Sequence, residues 1–176
     1  MKSLAFLFPL FLSALPSFAQ SVEAEYDKKK DFTHYKTFSF GESQITTPSD
    51  QKLIDDKTMD AWIVRAITRE LELKGLKRRD SVPDLIATYA EGTLARSDTE
   101  RLGPLALTPG ANPDRSFTYE YKQSSLVIDL NDRSGNLIWR VNSTTNMTSA
   151  EIERTVDAIV EKGFKKFAKP TKKKKK

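Results

Sequence analysis

Apolar and polar positions along the chain change between two periods, one of strands and one of helices. Val22, Ala24 and Tyr26 alternate with Glu23 and Glu25, the two-residue period of a half-buried strand. A charged turn over residues 27–31 follows, and residues 36–40 repeat the alternation until Gly41. The polar stretch around Pro48 reads as a loop. Over residues 55–74 the period lengthens: Met59, Trp62, Ile63, Ala66 and Ile67 stand three and four apart, an apolar stripe along one helix. Gly75 falls where a left-handed residue ends a helix, and Lys74 and Lys77 lie near the negative end of its dipole. Behind Pro83, residues 84–90 read as a strand with apolar residues on both parities, which predicts a central place in a sheet. Residues 91–115 carry Gly92, Gly103, Pro104, Pro109, Gly110 and Pro113 without a period, so a long disordered loop is expected there.

Beyond it, Phe117, Tyr119 and Tyr121 fall on one face of a strand or long bent strand that continues through residues 126–130. Turn residues 131–136 around Gly135 lead into a return strand at 137–141, a hairpin. Thr148 with Glu151 makes a capping box ahead of a second amphipathic helix marked by Ile152, Val156, Ile159, Val160, Gly163 and Phe167. Pro170 ends it. Strands grouped in hairpins with two helices predict an α+β two-layer sandwich: one mostly antiparallel sheet with both helices on one face.

The first nineteen residues belong to none of these elements. Lys2, the apolar run 4–15 and Ser17-Phe18-Ala19 form the charged, apolar and small-residue regions of a secretory signal peptide, with cleavage expected after Ala19. The apolar run is shorter than the ~20 residues that span a bilayer, and no later stretch approaches that length. The expected organisation is therefore a signal peptide at 1–19, a single domain at 20–168 and a disordered lysine tail at 169–176. The chain contains no cysteine. That excludes disulfides, thiolate chemistry and a lipid-modified cysteine in this sequence, so no lipidation is expected.

Charge changes the picture less than the net value suggests. The formal charge is +5, yet setting aside Lys2 and the five lysines at 172–176 leaves 23 Lys+Arg against 24 Asp+Glu. The body is near neutral. Lys172, Lys173, Lys174, Lys175 and Lys176 are candidates for contact with an anionic membrane surface or wall polymer.

Candidate chemistry is sparse. His34 is the only histidine, and no neighbouring spacing supplies a nucleophile or carboxylate to it, so a solvated turn is expected. Asp129, Asn131 and Arg133 begin like a calcium loop, but Arg133 and Arg140 stand where oxygen ligands are needed, so a hairpin turn is expected. Asp55, Asp56 and Asp60 suit the positive end of a helix dipole. Glu23 and Glu25 share a solvated strand face. Phe117, Tyr119 and Tyr121 offer a stacking surface for sugars or bases, but the same spacing covers a helix layer, and core packing is the expectation because strands enrich aromatics. Asn142 and Asn146 each open an Asn-x-Ser/Thr pattern. No catalytic residue, metal ligand or cofactor is expected.

Three segments in order resemble a bacterial envelope family known as domain of unknown function 4136. They are EYDKKKDFTHYKTFSF at residues 25–40, the helix end Leu71 to Leu76 with Pro83-Asp84-Leu85, and SLVIDL at 125–130 followed by GNLIWR at 135–140. The resemblance implies an exported α+β domain in the bacterial envelope and carries over no catalytic residue. Many relatives look like lipoproteins; this chain has Gln20 after Ala19 instead of a cysteine. The leading expectation is a non-enzymatic periplasmic binding or scaffolding module for an unknown envelope component. One alternative is an enzyme whose site assembles from distant residues near 91–115, with His34 or Arg96. The other is a peripheral binder of anionic lipid or polymer through the tail.

Overall fold

The computed structural model describes residues 21–101, 116–146 and 149–168. They form a mixed open sheet of seven strands with two helices, an α+β architecture. The strands are β1 (Ser21–Glu25), β2 (Thr37–Phe40), β3 (Gln44–Ile45), β4 (Lys77–Arg78), β5 (Leu85–Arg101), β6 (Ser116–Asp132) and β7 (Leu137–Asn146). Helix α1 covers Asp56–Leu73; a 3-10 turn at Ser149–Glu151 leads into α2, Ile152–Phe164. The sheet order is β1-β7-β6-β5-β2-β4, with β3 also on β5. The β1–β7, β7–β6 and β6–β5 pairings are antiparallel, and β5–β2, β2–β4 and β5–β3 are parallel. The strands β3 and β4 lie in segments whose sequence reads as loop and connection, because two residues are too short to carry a period.

Local chemistry explains where the elements begin and end. Asp55 caps α1 by accepting from the Thr58 N–H at 2.9 Å and its hydroxyl at 2.7 Å. At the other end Gly75 has φ +88°, its N–H donates to the Glu72 carbonyl at 2.9 Å, and the Leu76 N–H reaches the Leu71 carbonyl at 3.1 Å. Leu71 and Leu76 are both buried, the apolar contact that accompanies this left-handed stop. In the β6–β7 turn the Asp132 carboxylate accepts from the Ser134 and Asn136 N–H groups, with Gly135 at φ +79°. Asp132 thus serves a hairpin turn. Helix α2 starts at Ile152, after the 3-10 turn, without a side-chain cap on Glu151, and Thr148 lies outside the described residues.

The core joins both helices to the strands. Met59, Ile63, Ala66, Ile67 and Leu71 of α1 and Ile152, Val156, Ile159, Val160 and Phe164 of α2 are buried together with Leu85, Ala87, Leu126, Ile128, Leu130 and Val141. Trp62, placed on the predicted stripe, is only half-buried. Trp139 is fully buried; its indole N–H donates to the Gly163 carbonyl at 3.2 Å, and Tyr26 stacks on it with centroids 4.0 Å apart.

The expected loop at 91–115 is corrected over part of its length: residues up to Arg101 continue β5 and pair one for one with β6. The glycine that suggested a loop has another cause. A Cβ on Gly92 would stand 2.8 Å from the Thr46 hydroxyl, so glycine here admits a close neighbour within a strand. Residues 102–115 lie outside the described ones.

Candidate binding face

Alternation along the three central strands separates two sets of side chains. Leu85, Ala87, Tyr89, Glu91 and Thr93 of β5 are buried, while Ile86, Thr88 and Gly92 are half-buried and Ala90 is exposed. On β6 Leu126, Ile128 and Leu130 are buried between the half-buried Val127 and Asp129, with Ser125 exposed; on β7 Val141 and Ser143 are buried, Arg140 and Asn142 half-buried and Thr144 exposed. The register aligns the less buried set in rows across four strands: Glu25, Arg140, Asp129 and Thr88, then Glu23, Asn142, Val127 and Ala90. The Arg140 guanidinium grips Asp129 with both arms, Nε to Oδ1 at 2.7 Å and NH2 to Oδ2 at 2.5 Å, and the Asn142 amide donates to Glu25 at 2.6 Å. Beside these rows lies a depression of about 210 Å³ lined by Glu42, Gln44, Thr88, Ala90, Val127 and Asp129. A polar, shallow face of this kind can exchange hydrogen bonds and charge with a partner without enclosing it.

The buried polar groups of β5 have structural partners. Glu91, 2% exposed, accepts from the hydroxyls of Thr47 at 3.0 Å and Thr93 at 2.9 Å. The Thr93 N–H donates to the Thr47 hydroxyl at 2.7 Å and the Ala95 N–H to the Gln51 side chain at 2.7 Å, so residues 46–51 close the edge of β5. The Tyr89 hydroxyl donates to Asp60 of α1. Burial, then this carboxylate, pushes the Tyr89 pKa up, which keeps the group a donor. Among the described residues, no group of three or more His, Asp or Glu is placed to hold a metal ion.

The sequence-predicted candidates fall in scattered places. His34 is exposed on a turn, its ring 3.9 Å from that of Tyr35, beside a depression it shares with Asp84, Asp132 and Arg133. Asp84 accepts from the Lys36 and Thr37 N–H groups at 2.9 and 3.0 Å and from the Thr37 hydroxyl at 3.0 Å, and pairs with Arg133 at 2.9 Å. The Lys36 N–H leads in holding its carboxyl below the usual range, as the Asn136 side chain does for Asp132. Both acids are acceptors committed to backbone. Arg96 lies twelve residues along β5 from Asp84, about 40 Å at strand rise. The histidine and this arginine are not brought together. Asp55 caps α1, Asp56 pairs with Lys52 at 2.7 Å, and Asp60 serves Tyr89, so the three neighbouring acids have three different uses.

The core packing expected of Tyr119 and Tyr121 is corrected. Tyr119 is 40% exposed and Tyr121 half-buried, with ring centroids 5.9 Å apart, and the Tyr121 hydroxyl donates to Asp98 at 2.8 Å. They lie beyond Gln123, where β6 no longer pairs with β7 and, among the described residues, has only β5 beside it. Phe117 holds a strand position, but its side chain is outside the described ones. Lys172, Lys173, Lys174, Lys175 and Lys176 also lie outside the described residues. The structural roles of Asp84 and Glu91 are barely legible in sequence. Only the Pro-Asp entry to a strand hinted at the first, and only continued alternation past Tyr89 hinted at the second.

The family described as a domain of unknown function (DUF4136) matches residues 22–167. The chain belongs to it. No curated protein matches the chain. Among solved structures this DUF4136 chain is similar to a DUF4136 family protein from Bacteroides thetaiotaomicron, with TM-score 0.52 at 18% identity over 83% of this chain and 94% of that one. It is also similar to a PDZ domain protein from Parabacteroides distasonis, with TM-score 0.52 at 16% identity over 86% of this chain; it spans only 37% of that protein's length. PelC from Paraburkholderia phytofirmans, a dodecamer, aligns with TM-score 0.49 at 9% identity over 82% of this chain and 94% of PelC. The first two likenesses speak to the fold alone. Among the described residues, no helix is long and apolar enough to cross a membrane.

Proposed function

We propose that this protein is an exported, non-enzymatic binding module of the bacterial cell envelope, acting in the periplasm through the sheet face that carries Thr88, Ala90, Val127, Asp129, Arg140 and Asn142. In this reading residues 1–19 are a signal peptide removed after Ala19, and residues 20–168 form one α+β domain. Its two helices cover one side of a sheet whose long ladders are antiparallel and leave the other side to a partner. The chain is held in the envelope without a lipid anchor.

The observation that carries the reading is the cross-strand ladder of Glu25, Arg140, Asp129 and Thr88 beside a shallow depression. A partner laid on it meets ordered donors and acceptors on rigid strands, the arrangement that limits the entropy lost on binding. Asp84 and Glu91 are engaged by backbone and hydroxyl donors and so serve the fold. Retention of the purified protein on solubilised envelope fractions tests the reading. Ala90→Arg with Ser125→Arg, two exposed positions on this face, is expected to weaken retention at least tenfold while leaving the circular dichroism spectrum unchanged. Unaltered retention would place recognition elsewhere.

A further inference from the structure

The lysine-rich segments are far apart in sequence: Lys28, Lys29 and Lys30 after β1, Lys162, Lys165 and Lys166 at the end of α2, then Lys169 and the lysines from 172 to 176. The fold brings the first two groups to one corner. Tyr26 and Phe32 bracket the first lysine turn, and their rings enter one aromatic cluster with Trp139 and Phe167. Tyr26 lies 4.0 Å from Trp139, and Phe32 lies 5.6 Å from both Trp139 and Phe167. Phe167 directly follows Lys165 and Lys166 in the chain.

The turn is itself ordered. The Lys30 N–H donates to the Asp27 carbonyl at 3.1 Å, and the Lys29 N–H to its carboxylate at 2.8 Å. Lys28, Lys29, Lys162, Lys165 and Lys166 are exposed, while Lys30 is half-buried and near enough to Asp132 to favour that group's ionised form. Within these two segments stand six lysines and three carboxylates, those of Asp27, Asp31 and Glu161, on a body that is near neutral as a whole. The described chain ends at Ala168, next in sequence to Phe167 of the same aromatic cluster.

We propose that this corner docks the protein on the surface of an anionic phospholipid bilayer, with Lys28, Lys29, Lys165 and Lys166 acting together with Lys172 to Lys176. The inference adds to the binding face above and does not depend on it. Two observations favour lipid over nucleic acid. Every cation in the cluster is a lysine, a hydrated point charge suited to the diffuse field of a charged surface; arginine is the usual choice for bidentate phosphate recognition. The nearby rings of Phe32, Trp139 and Phe167 are buried, so they are not presented for stacking on bases. The two lysine groups are fixed to each other by packing, so their attractions combine at one place and are screened together by salt.

Sedimentation of the purified full chain with phosphatidylcholine vesicles, with and without phosphatidylglycerol, at low and high salt tests the idea. Binding is expected only with the anionic lipid and only at low salt. Each lysine removed should weaken it about fivefold, so Lys28→Ala with Lys29→Ala, or Lys165→Ala with Lys166→Ala, should each lower partition roughly twenty-five-fold. Removing residues 172–176 should lower it further. The two body pairs lie in separate segments, so one serves as a control for local damage by the other, and an unchanged melting temperature confirms the fold of each. The proposal is overturned by equal binding to neutral vesicles, by no binding at all, or by tighter binding to duplex DNA than to vesicles. It is also overturned by loss confined to removal of the tail with both body pairs silent. None of these variants touches Ala90 or Ser125, so the sheet-face reading stands or falls separately.

Discussion

A methyl group at position 163 would meet Val141 Cγ1 at 2.5 Å and Cγ2 at 2.7 Å, so α2 approaches β7 closely only because residue 163 is glycine. The same closeness lets the Gly163 carbonyl take the Trp139 indole proton. Gly163→Ala is expected to destabilise the protein by about 1–3 kcal/mol through forced separation of helix and strand, read as a lower denaturation midpoint with unchanged m-value. The sequence places Gly163 on the helix stripe but is silent on why it is glycine, because the reason is a valine twenty-two residues away. Asp84 illustrates the same limit with charge. Its donors Lys36 and Thr37 are forty-eight and forty-seven residues distant, and together with Arg133 they hold its carboxyl below the ordinary range. A group whose folded pKa is depressed stabilises fully above its unfolded value, about pH 4, and loses that contribution as pH falls through the folded value. Asp84→Asn should therefore be less stable than the parent at neutral pH, by about 2 kcal/mol. The gap should close below about pH 4, as denaturation at several pH values would reveal. A constant gap would mean that the carboxylate charge is not what matters.

At the scale of elements, α1 was legible because its signals are local: an Asp cap, a stripe at three- and four-residue spacing, and Gly75 at the stop. The parallel strands β3 and β4 were not legible. Each is two residues long and exists only because β5 or β2 lies alongside. The β5–β6 ladder divides into two parts. Up to Ala95 and Gln123 it is flanked by residues 46–51 and by β7; beyond them, among the described residues, the two strands pair only with each other. A two-stranded ribbon alone is marginally stable in water. Amides of residues 97–101 and 117–121 should accordingly exchange hydrogen by local opening, orders of magnitude faster than those of residues 86–90 and 126–130. Equal protection of both halves would mean that the distal ribbon is covered. This division also explains why the aromatic alternation of β6 misled: Tyr119 and Tyr121 carry a strand pattern without a core behind it.

At the scale of the whole molecule, the contact between α1 and α2 combines charge and apolar packing. Arg65 pairs with Glu153 and, at 3.2 Å, with Asp157, while Arg69 reaches Asp157 at 3.4 Å. The Arg65 and Glu153 side chains are 45% and 49% exposed, so solvent screens them and the pair is worth under about 1 kcal/mol. Ile159, fully buried on α2, should cost about 2–5 kcal/mol on change to Ala. Thermal melts are expected to show a small shift for Arg65→Ala and a large one for Ile159→Ala. The reverse order would make the ion pairs the principal link between the helices.

The sequence alone determined the elements whose causes lie within a few residues: the two amphipathic helices, the hairpin turn at Gly135, the alternation of β1, β2 and the central strands, and membership of an α+β class. It also set the bulk chemistry, with no cysteine, one histidine and a body near neutral. Only the tertiary structure decided which polar side chains meet. The Glu25, Arg140, Asp129 and Thr88 row comes from strand order, and the lysine corner comes from Phe167 packing against Phe32. Such contacts join residues tens to more than a hundred positions apart. They follow from register and helix placement, which no local period encodes.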